Sequence, residues 1–227
     1  MQNFKVRVGW IFVWCLVVFC GSVSGADLDQ ILSKMEAVGK TLKSMKADIQ
    51  QKKWTDIIEE YDAGEEGTLL FLRAETVYLR KDITRPTNNS LVIREGEVTF
   101  YEPAIKQAQR YQLGKHGDKA EFLLLGFGSD SAMLKETYDI EYLGDEAVEG
   151  TNCHRLQLKP KSDKVGAFFT RIELWIDPGI WVPVQQKLVE PTEDHLLIRF
   201  SNIELNAKIS KGSFKVKLDK DTKIIGG

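Results

Sequence analysis

The chain is poor in the residue types on which covalent staples and catalytic centres depend. Two of its three cysteines, Cys15 and Cys20, fall in the first 25 residues, leaving Cys153 alone in the body of the chain, which excludes an internal disulfide there. His116, His154 and His195 are scattered, and none belongs to an HExxH, CxxC or GxSxG pattern, so no zinc, thiol-redox or serine-hydrolase centre is expected. Cys153 and His154 are adjacent, but neighbours on a strand point to opposite faces, and Cys153 reads as a small apolar side chain. His195, after Asp194, reads as part of a solvated turn, and Glu65, Glu66 and Glu102 as solvated turn carboxylates. The run 126–129 (GFGS) follows a helical pattern rather than a strand, which argues against a phosphate cradle. No catalytic residue, metal or cofactor is expected.

Charge of one sign is not in excess. The 31 basic and 33 acidic residues give a net charge of −2, which argues against nucleic acid as a partner. Long apolar runs are confined to the beginning. Lys5 and Arg7, an apolar stretch at 9–19 and small residues at 22–25 have the layout of a secretory signal, and the stretch falls short of the ~20 residues that span a bilayer. A mature chain beginning near Ala26, with net charge −4 once Lys5 and Arg7 are lost, is expected. Acylation at Cys20 is a competing reading, opposed by Phe19, because the residue before an acylated cysteine is normally small. Residues 26–227 contain no linker, low-complexity tract or repeat, and read as one domain with a core of its own.

Leu28, Ile31, Leu32, Met35, Val38, Leu42 and Met45 recur at spacings of three and four, predicting a helix with one apolar face, capped by Asp27 with Gln30. From Ala47 the period changes to about 2. Strands are predicted at 47–54, 67–73, 76–80, 90–94, 97–101, 138–143, 153–158, 168–176, 182–189, 196–206 and 214–218, with Gly64, Gly67 and Gly96 at turns. Between the two sets, Asp118 and Glu121 form a capping box before the apolar run 122–125, stopped by Gly126, and a short helix is predicted at 131–135. About eleven strands with tight connections predict an antiparallel meander, long enough that it must curl or close.

Alternation assigns the faces. Ile172, Leu174 and Ile176 fall on one side against Arg171, Glu173 and Trp175, and Leu196, Ile198 and Phe200 on one side against Leu197 and Arg199. One face is therefore expected to be apolar and the other charged, with the N-terminal helix and the 122–125 turns as the available cover. Periodicity leaves open whether the interior is packed solid or hollow.

The C-terminal run 174–225, LWIDPGIWVPVQQKLVEPTEDHLLIRFSNIELNAKISKGSFKVKLDKDTKII, the segment 94–110, REGEVTFYEPAIKQAQR, and the strand 67–74, GTLLFLRA, together resemble the periplasmic lipoprotein carrier family of the LolA type, from about Leu28 to the end. The resemblance implies a mainly β, α+β fold: an incomplete antiparallel barrel whose concave apolar face is covered by a helical lid. It implies a monomeric periplasmic carrier that shields the acyl chains of lipoproteins or other lipids on the way to the outer membrane. An inner-membrane releasing complex and an outer-membrane acceptor would be its partners. On this resemblance Leu69, Phe71, Val77, Phe100, Ile172, Leu174 and Ile176 line the cavity, Leu32, Met35, Phe122 and Leu125 belong to the lid, and Arg73 latches the lid through its backbone. Ala74 stands where the family pattern has proline. The same fold also serves envelope sensing and outer-membrane acceptor lipoproteins, which are the alternative functions. The intact mass of the exported chain is expected to match an unmodified polypeptide starting near Ala26; a diacylglycerol on Cys20 would instead assign it to the anchored acceptors.

Overall fold

Helical periodicity ends where the chain needs to turn onto a sheet. In the computed structural model the described residues are 25–112, 122, 124–128 and 130–226; the leader and the capping box of Asp118 and Glu121 lie outside them. Helix α1 (Gly25–Thr41) carries Leu28, Ile31, Leu32, Met35 and Val38 on the buried side. It is shorter than the apolar stripe, because Leu42 follows it in a connection and Met45 belongs to the first strand, though both are buried. Asp27 lies inside the helix rather than at its cap.

Among the described residues thirteen strands form one sheet. They are β1 (Ser44–Thr55), β2 (Glu60–Tyr61), β3 (Glu65–Arg73), β4 (Val77–Arg85), β5 (Asn89–Arg94), β6 (Glu97–Glu102), β7 (Gln107–Gln112), β8 (Tyr138–Val148), β9 (Thr151–Pro160), β10 (Arg171–Ile176), β11 (Pro183–Val189), β12 (His195–Leu205) and β13 (Lys223–Ile225). The spatial order is β13-β7-β6-β5-β4-β3-β1-β12-β11-β10-β9-β8, with β2 paired to β1. The first meander runs outward from β1 to β7, the chain crosses to the far edge at β8, and the second meander returns until β12 pairs with the other side of β1. β1 is thus the seam between two halves, and the curled sheet stays open.

Sequence and structure differ most at the edges. β2, β7 and β13 were not anticipated: QAQRYQ in β7 has no apolar alternation, and β13 is short and pairs with β7 in parallel. The strand expected at 214–218 is instead a 3-10 turn at Lys211–Phe214 followed by irregular chain. Glu65, Glu66 and Glu102 lie in strands, not turns. Gly67 is also inside β3, where the register with β4 shifts and a Cβ would lie 1.9 Å from the Asp82 carbonyl oxygen; no larger residue fits without moving the neighbouring strand. The Glu95-Gly96 turn is as expected, both residues having positive φ (54° and 81°) in a two-residue hairpin.

The concave face holds the main core, with Leu69, Phe71, Leu79, Ile83, Ile93, Val98, Ile172, Leu174, Ile176, Ile198 and Phe200 from the sheet meeting Ile31, Leu32 and Met35 of α1. The convex face is not simply charged. Phe214, on the C-terminal segment, packs over Tyr78 and Val92, where Arg80 Nη1 donates to the carbonyls of Ser213 at 2.9 Å and Lys215 at 3.2 Å. Trp175 is buried with Val148, Cys153 and Val184, and Glu173 beneath the Arg155 guanidinium, 2.6 Å away. The expected charged side of β10 is therefore covered by side chains of the neighbouring strands β8, β9 and β11.

His195 is likewise not in a solvated turn. It opens β12, is 8% exposed, stacks on Trp54 with ring centroids 5.7 Å apart, and shares a 2.8 Å hydrogen bond between Nε2 and the Tyr61 hydroxyl. Burial, then the nearby Lys187, pushes its pKa below 6.5. The folded protein binds that proton less readily than the unfolded chain, so this contribution to stability is full above pH 6.5 and is lost as pH falls from 6.5 toward the depressed value. Urea midpoints measured across that window should fall with acidity in the native protein. In His195→Gln the slope should flatten, with stability lower by about 1–2 kcal/mol at neutral pH.

Candidate functional site: the covered concave face

Three segments cover the sheet: α1, the turn at 124–126 with the following residues 127–128, and helix α2 (Ser131–Thr137). Asp130 caps α2, its carboxylate accepting from the amides of Ala132 and Met133. Leu134 is buried from this helix. Phe122 is buried edge-to-face against Phe169 at 4.8 Å, and Phe127 against Phe200 at 5.0 Å. Leu125 is half-buried against the same core. Gly126, at φ +85°, lies so close to the sheet that a Cβ would meet Pro183 Cγ at 2.6 Å; glycine is what lets the turn lie flat there.

Polar pins hold this cover. Arg73, at the end of β3, donates from Nη1 to the Gly39 carbonyl in the last turns of α1 at 2.9 Å, and from Nη2 to the Gly128 carbonyl at 3.5 Å, the outer limit of such a bond. Its guanidinium also lies 5.7 Å from the centroid of the Phe71 ring. Gly39 and Gly128 pack backbone to backbone, since a Cβ on Gly39 would lie 2.5 Å from Gly128 Cα. From the middle of the concave face Gln186, fully buried between Leu174 and Ile198, donates Nε2 to the Leu125 carbonyl at 2.8 Å. α1 is joined to α2 by Glu36, which accepts from Ser131, and by Asp29 with Lys135 Nζ at 2.6 Å. The bonds from Lys40 and then from Ser131 hold the Glu36 carboxyl down at about 2.

Leu69, Phe71, Ile172, Leu174 and Ile176 share one buried cluster with Leu32, Met35 and Phe122. Phe100 is half-buried on the same side as Val98. Val77 is a correction: it has the parity of Leu79 but lies opposite Arg73 at the strand's end, 41% exposed, so it marks the rim and lines no buried surface. Among the polar residues of this face, two that matter to the cover and the cavity escape the sequence pattern. Lys81 follows Val77 and Leu79 on the concave parity, a signal lost by ending the strand at residue 80, and Gln186 sits within a run of mixed polarity where alternation gives no warning. Among the described residues no cluster of His, Cys, Asp and Glu is suited to a metal ion, and no helix is long and apolar enough to cross a membrane.

If Arg73 pins the cover, replacing it with leucine removes donors that no apolar side chain can supply and leaves the Gly39 carbonyl without its bond. Hydrogen exchange in α1 of Arg73→Leu is expected to rise about tenfold or more over native protein, with strands β9 to β11 unchanged. Equal protection of α1 in both proteins would make Arg73 an ordinary strand-end cation.

Comparison with known proteins matches this architecture. A crystal structure of an uncharacterized conserved protein from Thermus thermophilus superposes with a TM-score of 0.54 at 15% identity, covering 88% of this chain and 98% of that one. Mycobacterium tuberculosis lipoprotein LppX superposes with a TM-score of 0.52 at 10% identity, covering 82% and 99%. In sequence, the uncharacterized protein MJ0687 of Methanocaldococcus jannaschii is 22% identical over 218 residues; the match takes in 94% of this chain but 58% of that protein's length. The family model described as outer membrane lipoprotein carrier protein LolA matches residues 40–217, which take in most of the sheet and the cover segments after β7 but only the end of α1, and the chain belongs to that family.

Proposed function

We propose that the protein is a periplasmic carrier that takes the acyl chains of a lipoprotein or other lipid between the concave face and its cover, and gives them up to an acceptor on the way to the outer membrane. The observation that carries this reading is the nature of the cover. α1 and the 124–128 segment meet the sheet through apolar side chains and a few side-chain bonds to backbone carbonyls, those of Arg73 and Gln186, all of which can be exchanged for contacts with a guest.

The energetics suit reversible loading. Each buried CH₂ of an acyl chain is worth about 0.8 kcal/mol, so a long chain is worth on the order of 10 kcal/mol. Ile31, Leu32 and Met35 are buried from α1, and at about 1.5–3 kcal/mol each they represent roughly 5–9 kcal/mol that lifting the helix would forfeit. Net affinity is the difference between two burials of similar size. Transfer then needs no energy source at the carrier, only an acceptor that holds the lipid more tightly.

A fluorescent fatty-acid analogue should be taken up by the native protein, saturably and at about one site. Phe71→Glu puts a carboxylate under the cover, at a cost of several kcal/mol if it stays charged. Uptake should be lost while the far-ultraviolet circular dichroism is retained, because an opened cover admits water to the charge. No uptake by the native protein, together with unfolding of Phe71→Glu, would mean a solid core and would contradict the carrier reading.

A further inference from the structure

The concave face carries a cation that packing does not call for. Lys81 lies in the interior strand β4, between Leu69 of β3 and Leu91 of β5, in a cross-strand row that Phe100 continues on β6. Inward-pointing lysines that guard a sheet edge have no such purpose on an interior strand. Its Nζ donates to Gln51 Oε1 at 2.6 Å, and the Gln51 amide donates in turn to Glu65. Glu65 is thus linked to Lys81 through an intervening amide, and among the described residues no carboxylate forms an ion pair with Lys81. Among the described residues one of the ammonium's three donors is used. Burial pushes its pKa down and Glu65 offsets this only in part, as expected of a cation short of counter-charge.

We infer that the guest of this face is an anionic amphiphile, whose carboxylate or phosphate oxygen accepts from Lys81 Nζ while its chain lies against the apolar side chains around it. This rests on the carrier reading and narrows it, from any acylated molecule to one with an oxyanion beside the chain. The overall field favours no such preference: the chain is net acidic, −2, so nonspecific electrostatics repels anions. A preference for an anion must come from a local donor. Charge-assisted bonds of this kind are among the stronger ones, and removing one from a desolvated site weakens binding about tenfold or more.

The test is calorimetric titration of the full chain with dodecanoate, dodecyl phosphate and dodecanol, which share one tail. The native protein is expected to bind at least one of the two anions about tenfold more tightly than the alcohol; which anion it prefers separates carboxylate from phosphate guests. Lys81→Met is expected to abolish that preference and leave alcohol binding intact, and Lys81→Arg to keep the preference. Equal affinity of native protein for all three, or a preference that survives in Lys81→Met, overturns the inference and leaves the carrier reading standing. Binding of none of the three to native protein overturns both. If Lys81→Met fails to fold, Lys81→Gln, which keeps a polar neutral group at that position, is expected to lose the preference in the same way, and survival of the preference there overturns the inference.

Discussion

An apolar concave surface on a sheet that does not close has to be covered, and nearly every feature of this protein follows from that constraint. The strands of the described residues curl without joining end to end, so the inner face cannot bury itself as a closed barrel would. α1 arrives before the sheet in sequence and the 124–137 region interrupts it, and both lie on the open side. The chain order places one cover segment at each end of the first meander. The sheet can therefore be complete on its own hydrogen bonds while the cover remains a separable layer.

That separability shows in how the layers are joined. Between strands the bonds form ladders, whereas α1 and the 124–128 segment are tied to the sheet by side-chain bonds that include Arg73 onto Gly39 and Gly128, and Gln186 onto Leu125. The glycines at 39, 126 and 128 allow the close backbone approach on which these bonds rely. A fully buried Gln186 whose Oε1 finds no partner among the described residues is a costly residue for a static core. It suits a surface whose covering changes. The convex side is fixed differently, by the C-terminal segment with Phe214 against Tyr78 and Val92, and by the Trp175 cluster.

What the sequence discloses is what depends on near neighbours. Ile172, Leu174 and Ile176 alternate within one strand, and their burial on a common face could be read without knowing any partner. The helix stripe of Leu28 to Val38 was legible for the same reason. His195 was not, because Trp54 and Tyr61, which bury it, lie over 130 residues away. Trp175 and Glu173 had the right parity and the wrong environment, since Val148, Cys153 and Arg155 come from other strands. Arg73 was singled out only through family resemblance; its acceptors are 34 and 55 residues distant and are carbonyls, which carry no side-chain signature. β13 and β7 escaped because a three-residue edge strand is too short to alternate, and β7 shows its inner and outer positions only through Ala108 and Tyr111 among glutamines and an arginine.

The central claim is that the cover and a lipid compete for the same apolar face. Native mass spectrometry of the protein, purified from its own cells without detergent, tests this most directly. The account predicts a fraction of molecules carrying one acylated adduct, released on denaturation and absent from Phe71→Glu prepared in parallel. A bare polypeptide mass in every preparation, from protein that also excludes added fatty acid, would contradict it.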